Sequence, residues 1–270
     1  MIGNRLRRIW AEGRASSNGW LGVGNPFVAE IMAEQGFDSL TIDLQHGALD
    51  YAAALPMLQA MRASGVVPLV RVPWREPGII MKALDAGAYG IVCPMINSGA
   101  EARELVRWLR YPPEGDRSFG PTRAVLAAGQ DYAAEANREI LAFAQIETAE
   151  ALAAVEEIVA TPGLDGIYVG PVDLTLSLSR GALPPALDRE EPETIAAFQT
   201  ILAACKARGL RAALHCGTPD YAARAVGWGF DMVTIAADVA LLARAARGSV
   251  ERFKALTGGP EAPPAAIGSY

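Results

Sequence analysis

Short β-branched or apolar runs alternate along the chain with longer Ala/Leu/Glu-rich runs whose apolar residues recur at helical spacing. That alternation argues for repeated βα units. Eight runs read as strands: WLGVG (20–24), SLTID (39–43), VPLVR (67–71), GIVCP (90–94), AFAQI (142–146), GIYVG (166–170), RAALH (211–215) and MVTIA (232–236). Between them the spacing predicts helices over 25–36, 50–63, 77–86, 98–110, 149–160, 191–208, 219–227 and 238–254. Right-handed crossovers place each helix outside a buried parallel sheet, so the prediction is an α/β fold, a closed (β/α)8 TIM barrel. An open doubly wound sheet is the alternative. Two stretches break the rhythm. Residues 111–138 form a long, Pro/Gly-punctuated connection, a candidate lid, and TGGPEAPPAAIGSY at the end lacks apolar period. The expected organisation is one barrel domain over 1–257 and a flexible tail over 258–270.

If these strands are right, the unusual polar residues share one position, the C-terminal end of a strand. Asp43 closes the second strand and His46 follows it. Arg71 closes the third, Gln145 and Glu147 the fifth, and Asp173 lies just beyond the sixth. In a barrel these ends converge on one mouth, the face where catalytic residues gather. Each residue alone also has a bland reading: Glu147 and Asp173 as helix caps, Arg71 as a partner for one acid, Asp43 and His46 satisfying one another. The set, two acids on neighbouring strands, an arginine and an Asp–His pair on one rim, points to a site.

Composition narrows the chemistry. A net charge of −6 offers no basic surplus for a polyanion, so nucleic acid is excluded as an expected partner. No uncharged apolar stretch is long enough to span a bilayer, and no basic segment leads into a signal core, so no membrane association is expected. Three cysteines, Cys93, Cys205 and Cys216, are an odd and irregularly spaced number, which suits a reducing compartment and predicts a cytoplasmic protein. Lysine occurs only at 82, 206 and 254, all within predicted outer helices, so an amine in the barrel mouth for a Schiff base is not expected. No glycine fingerprint for a dinucleotide and no phosphate loop is present, so no nucleotide is expected either.

Two carboxylates with few other ligands suit a hard divalent cation such as Mg²⁺ or Mn²⁺, with positions left for water and substrate oxygens. Zinc is disfavoured, since the chain has two histidines and no closely spaced Cys/His set. Such a cation can chelate a 2-oxo acid and stabilise the charge that develops when the neighbouring carbon loses a proton. Arg71 can share that charge, and His46 is suited to moving the proton. The GPVD turn, Gly170, Pro171, Val172 and Asp173, lets the backbone approach closely and opens a helix whose first N–H groups face an anion. His215 and Cys216 end the seventh strand. There the polar strand end is the slightly favoured reading for His215, and small-residue packing for Cys93 and Cys216.

At this point IDLQHGALD, VPLVRVPW, LDAGAYGIVCPMINSGAEA, YPPEGDRSFGPTRA, QIET and GIYVGPVDLTLSL stand in the order found in the HpcH/HpaI aldolases, which the chain resembles from about Gly19 to about Leu242. The resemblance implies a metal-dependent class II aldolase of 2-oxo acids, reversibly joining a pyruvate-type donor to an aldehyde. It implies Glu147 and Asp173 as ligands of Mg²⁺, Mn²⁺ or Co²⁺, and Arg71 as the contact to the donor oxygen. By the same resemblance the amides of Val172 and Asp173 hold the donor carboxylate, beside Gly170 and Pro171. His46 takes the acid–base position, oriented by Asp43 and Asp85. Gln145, Gln45 and Trp20 line the pocket, Arg123 stands on the acceptor side, and the assembly is a homohexamer, a trimer of dimers with an exchanged C-terminal helix. Many members have glutamate where this chain has Gln45. The glutamine form resembles a hydroxy ketoacid aldolase branch, some of which accept hydroxypyruvate. Ser179 and Arg180 stand where a glycine is common. Two alternatives remain at this level, a CoA-ester lyase on a related barrel and a non-catalytic 2-oxo acid binder.

Overall fold

The computed structural model describes residues 1–260. Strands β1 (Ser16–Leu21), β2 (Ser39–Asp43), β3 (Val67–Arg71), β4 (Gly90–Cys93), β5 (Leu141–Ile146), β6 (Gly166–Val169), β7 (Arg211–His215) and β8 (Met232–Ala237) pair in parallel in chain order. β8 returns to β1, so the sheet closes as a (β/α)8 barrel and has no free edge. The strands are buried almost throughout because helices cover them outside and side chains fill them inside.

Two cores result. The larger lies between sheet and helices, with Ile42, Val70, Ile91, Ile146 and Phe198 fully buried. The smaller fills the barrel with Leu69, Val92, Phe143 and Met232 and is sealed below by helix Arg5–Ala11, whose Leu6, Ile9 and Trp10 are buried. Trp10 meets Phe143 edge-on at 6.3 Å. That plug was not among the predicted helices.

Register fixes what stands at the mouth. Asp43 is opposite Arg71, Gln145 opposite Tyr168, and His215 opposite Thr234. β1 begins earlier than its apolar run, at Ser16, because Asn18 is buried inside the barrel and hydrogen-bonds to Thr234 instead of facing water. Helix 149–160 divides at Ala154 into Ala149–Ala153 and Val155–Val159. Helix Pro171–Leu178 follows β6 directly, and Asp238–Thr257 follows β8.

The long connection holds two short helices, Thr122–Ala128 and Tyr132–Glu139. Its Arg117 side chain is fully buried, set over the rings of Tyr111 and Tyr132 at 4.5 and 5.5 Å, with Nη2 donating to Asp85 at 2.7 Å. This anchors the segment to helix Pro77–Asp85, and none of its residues lines the mouth cavity. Of the expected tail, residues 261–270 lie outside the described residues. Among the described residues, no helix is long and apolar enough to cross a membrane.

Candidate active site

A cavity of about 280 Å³ opens at the C-terminal ends of the strands. Trp20, Asp43, His46, Arg71 and Gln145 line it together with the turn from Gly170 to Asp173. Residues more than a hundred positions apart therefore meet as the barrel geometry requires.

Asp43 is the most heavily engaged of them. Its Oδ1 accepts from Arg71 Nε at 2.8 Å and from the backbone N–H groups of Gln45 and His46 at 3.0 and 3.3 Å. Its Oδ2 accepts from Arg71 Nη2 at 2.6 Å and Trp20 Nε1 at 3.1 Å. Burial alone would raise this carboxyl, but the Arg71 guanidinium, Trp20 and the His46 amide more than offset it and hold Asp43 below its ordinary range. Arg71 also lies over the Trp20 ring at 4.8 Å, and with Nε and Nη2 engaged by Asp43 its Nη1 is the guanidinium nitrogen without a partner among the described residues. Asp43 thus grips the His46 backbone and not its ring. The imidazole is exposed, lines the cavity and has no hydrogen-bond partner among the described residues.

Glu147 has the opposite character. It is 2% exposed. Its Oε1 accepts from the Met95 N–H at 2.7 Å and its Oε2 from Gln145 Nε2. Met95 holds a left-handed backbone, φ 55°, which is strained for a side-chain-bearing residue and aims that N–H at the carboxylate. Burial, with the charge of Asp173, still pushes Glu147 above the usual carboxylate range despite these donors and Arg71. Gln145 Oε1 is buried without a partner among the described residues. Gly170 must lack a side chain, since a Cβ there would stand 2.7 Å from Glu147 Oε2 and 2.9 Å from Gln145 Nε2. After it, Pro171 takes the first helical turn and Asp173 stands exposed within that turn, beside unpaired backbone N–H groups.

An under-compensated carboxylate, a second acid near it and an orphaned amide oxygen fit a hard divalent cation. No cluster of three or more His, Cys, Asp or Glu occurs among the described residues, so protein ligands of this kind would number two, leaving positions for substrate oxygens. Of the three lysines, Lys82 sits over the Tyr51 ring, Lys206 pairs with Asp231, and Lys254 is on the last helix.

Three predicted site residues stand elsewhere in the chain. Asp85 pairs with Arg117, whose buried guanidinium claims its Oδ1, and it makes no hydrogen bond with His46 among the described residues. Arg123 donates to the carbonyls of Ala86 and Leu58, lining a separate cavity at the barrel foot with Tyr89 and Pro68. It is held there by two helix C-termini, whose carbonyls attract a cation. Gln45 is half-buried outside the cavity wall, with Oε1 unpartnered. Conversely, Tyr168 and Asp238 line the cavity without having been predicted, and His215, weighed as a strand end, lines it too. Asp238 accepts from the N–H groups of Gly22 and Val23 at 2.8 and 3.0 Å, and an acid at a strand-to-helix junction was the signal available for it.

Known proteins resemble this chain over most of its length. A protein of Rhizorhabdus wittichii named hydroxypyruvate/pyruvate aldolase is 42% identical over 253 residues, covering 94% of this chain and 100% of that protein. One of the same name from Deinococcus radiodurans is 37% identical, over 94% of this chain and 91% of its own. The crystal structure of a HpcH/HpaI aldolase/citrate lyase family protein from Burkholderia cenocepacia superposes with a TM-score of 0.85 at 32% identity, covering 93% of this chain and 99% of that one. Residues 17–245 match the family model described as HpcH/HpaI aldolase/citrate lyase, and the chain belongs to that family.

Proposed function

We propose that the protein is a carbon–carbon lyase of pyruvate-aldolase type, reversibly joining pyruvate or hydroxypyruvate to an aldehyde as a 4-hydroxy-2-oxo acid. The names of its relatives support the class. The observation that carries it is Glu147, buried behind the cavity-lining Gln145 that donates to it and short of positive charge, together with an Arg71 at the cavity wall whose Nη1 is left free by the Asp43 clamp among the described residues.

Glu147 and Asp173 would hold a divalent cation, Mg²⁺, Mn²⁺ or Co²⁺, which when bound supplies Lewis-acid stabilisation of negative charge on the donor's ketone oxygen. The backbone N–H groups of Val172 and Asp173, at the start of helix Pro171–Leu178, receive the donor carboxylate. Arg71 Nη1 donates to the ketone oxygen, and Asp43 keeps the guanidinium from turning away. In the aldol direction a proton leaves the donor carbon next to the ketone, that carbon bonds to the aldehyde carbon, and the aldehyde oxygen takes up a proton. His46, its ring unencumbered at the cavity wall, moves that proton directly or through water.

Association and location extend the reading. The last helix, Asp238–Thr257, buries only Asp238 and leaves Leu242, Phe253 and Leu256 exposed, which supports docking against a neighbouring copy in a homohexamer. The three cysteines are free and buried, in keeping with a cytoplasmic setting.

The test is deuterium exchange into the pyruvate methyl group in D2O, which needs no knowledge of the aldehyde. Exchange should stop with EDTA and return with Mn²⁺ or Mg²⁺. Undiminished exchange by metal-stripped protein refutes the proposal.

A further inference from the structure

A polar chain runs through the apolar interior of the barrel and ends at the cavity. Ser39 Oγ and Thr41 Oγ1 both donate to Asn18 Oδ1, at 2.9 and 3.0 Å. With its oxygen so occupied, Asn18 presents Nδ2 to Thr234 Oγ1 at 2.9 Å. Thr234 Oγ1 lies 2.6 Å from the Tyr168 hydroxyl, which lies 3.1 Å from His215 Nδ1. Asn18, Thr234 and Tyr168 are all buried.

With Asn18 Oδ1 accepting from Ser39 and Thr41, the remaining protons of this network have one satisfying arrangement. Thr234 already accepts from Asn18, and its own proton has no other acceptor than Tyr168 among the described residues. A buried hydroxyl proton left unmade is costly, so Thr234 donates to Tyr168. Tyr168 in turn donates to His215 Nδ1. A neutral imidazole that accepts at Nδ1 carries its proton at Nε2. The ring is neutral: burial and the Arg71 charge push His215 down to about 3, only partly opposed by Asp43. Nε2 meets no protein partner among the described residues, and the ring lines the cavity with its neighbour Trp20, the two centroids 4.8 Å apart.

We propose that the chain Ser39/Thr41–Asn18–Thr234–Tyr168 locks His215 as the Nε2–H tautomer, and that this N–H holds an uncharged oxygen of the bound substrate. The oxygen comes from one of two sources, the extra hydroxyl of a hydroxypyruvate donor or the aldehyde. An uncharged donor is suited to such an oxygen, because it discriminates by geometry without attracting the carboxylate that belongs on the helix N-terminus. The second half of the proposal rests on the aldolase reading above. The first half does not.

Two measurements test it. The chain contains two histidines, so ¹⁵N-imidazole-labelled protein shows two ring systems, and His46→Ala assigns them. The His215 ring should be neutral from pH 8 to pH 5 with its proton on Nε2, and Tyr168→Phe should release that preference. A resting ring protonated at Nδ1 overturns the locked tautomer. Kinetically, His215→Leu should lower kcat/KM about tenfold, the worth of one hydrogen bond to substrate, with His215→Gln recovering part of it. A loss confined to hydroxypyruvate identifies the donor hydroxyl, and an equal loss with pyruvate identifies the aldehyde oxygen. No loss with either donor overturns the substrate contact. A wild-type protein without aldol turnover would sink the aldolase reading and this contact with it, while the tautomer would still be read from the spectrum.

Discussion

Replacing Asp43 by Asn tests whether the Arg71 clamp is a structural keystone as well as a substrate contact. The two oxygens of Asp43 divide the work: Oδ1 serves Arg71 Nε and two backbone N–H groups, while Oδ2 serves Arg71 Nη2 and Trp20 Nε1. An asparagine that keeps the three bonds on Oδ1 turns its NH2 against two donors. It also strips the counter-charge from a guanidinium that is 12% exposed, beside a carboxylate that is 5% exposed. Breaking a buried pair from one side costs about 3–5 kcal/mol, a large share of the 5–15 kcal/mol (roughly) that holds a native protein together. At about 2–4 °C per kcal/mol for a chain of this size, Tm should fall by about 6–20 °C. Arg71→Met should cost less, about 1–3 kcal/mol, because Asp43 keeps three N–H donors. The difference has a pH signature. A carboxyl held below its unfolded value, about 3.9, contributes stability that is present above that pH and is lost as pH falls through the lower folded value. The gap between wild type and Asp43→Asn in urea midpoints should therefore be widest near neutrality and close in acid. A loss under about 1 kcal/mol, or an Arg71→Met protein less stable than Asp43→Asn, refutes the reasoning.

Gly170→Ala meets no backbone strain at φ −92°, yet its Cβ would lie 2.7 Å from Glu147 Oε2, so Mn²⁺ affinity by calorimetry should weaken by roughly tenfold or more while the fold persists. His46→Ala should lower kcat by ~10²–10⁴ and leave pyruvate binding nearly unchanged, since the ring has no structural partner; a matched fall in binding would place it among the binding groups instead. Glu147→Gln removes a buried charge that is costly without a cation. The EDTA-treated variant should melt above EDTA-treated wild type and lose the Mn²⁺-induced rise in Tm; a lower melting point would mean that the charge is already compensated.

Much of this architecture is legible in the alternation of apolar runs. β2, β3 and β7 occupy the segments their short apolar runs mark, and Asp43, Arg71 and Gln145 at strand ends, with Asp173 in the first turn of the helix after β6, line the mouth on which the C-terminal ends of barrel strands converge. The misses share a cause: residues whose partners are distant in sequence. β1 starts within SSNG because its polar side chains pair across the barrel, as Asn18 does with Thr234, |i−j| 216. The helix carrying Trp10 is short and its apolar face is defined only by the barrel floor it plugs. Arg123 and Asp85 were assigned by likeness to a motif, and their actual acceptors and donors, Leu58, Ala86 and Arg117, follow from how the long connection folds back. His215 looked like an ordinary strand end because its significance depends on a proton arrangement that no local pattern encodes.

The helix Asp238–Thr257 is rooted in the cavity wall, where Ala237, Asp238 and Val239 face the substrate space, and Asp238 fastens that root to the loop after β1. Beyond the root the helix projects with Leu242, Phe253 and Leu256 exposed, so in the proposed hexamer a neighbouring copy that grips its far end would bear on the wall through it. If the proposed assembly forms, turnover per molecule should fall on dilution, before any unfolding is detectable, as the helices lose their holds.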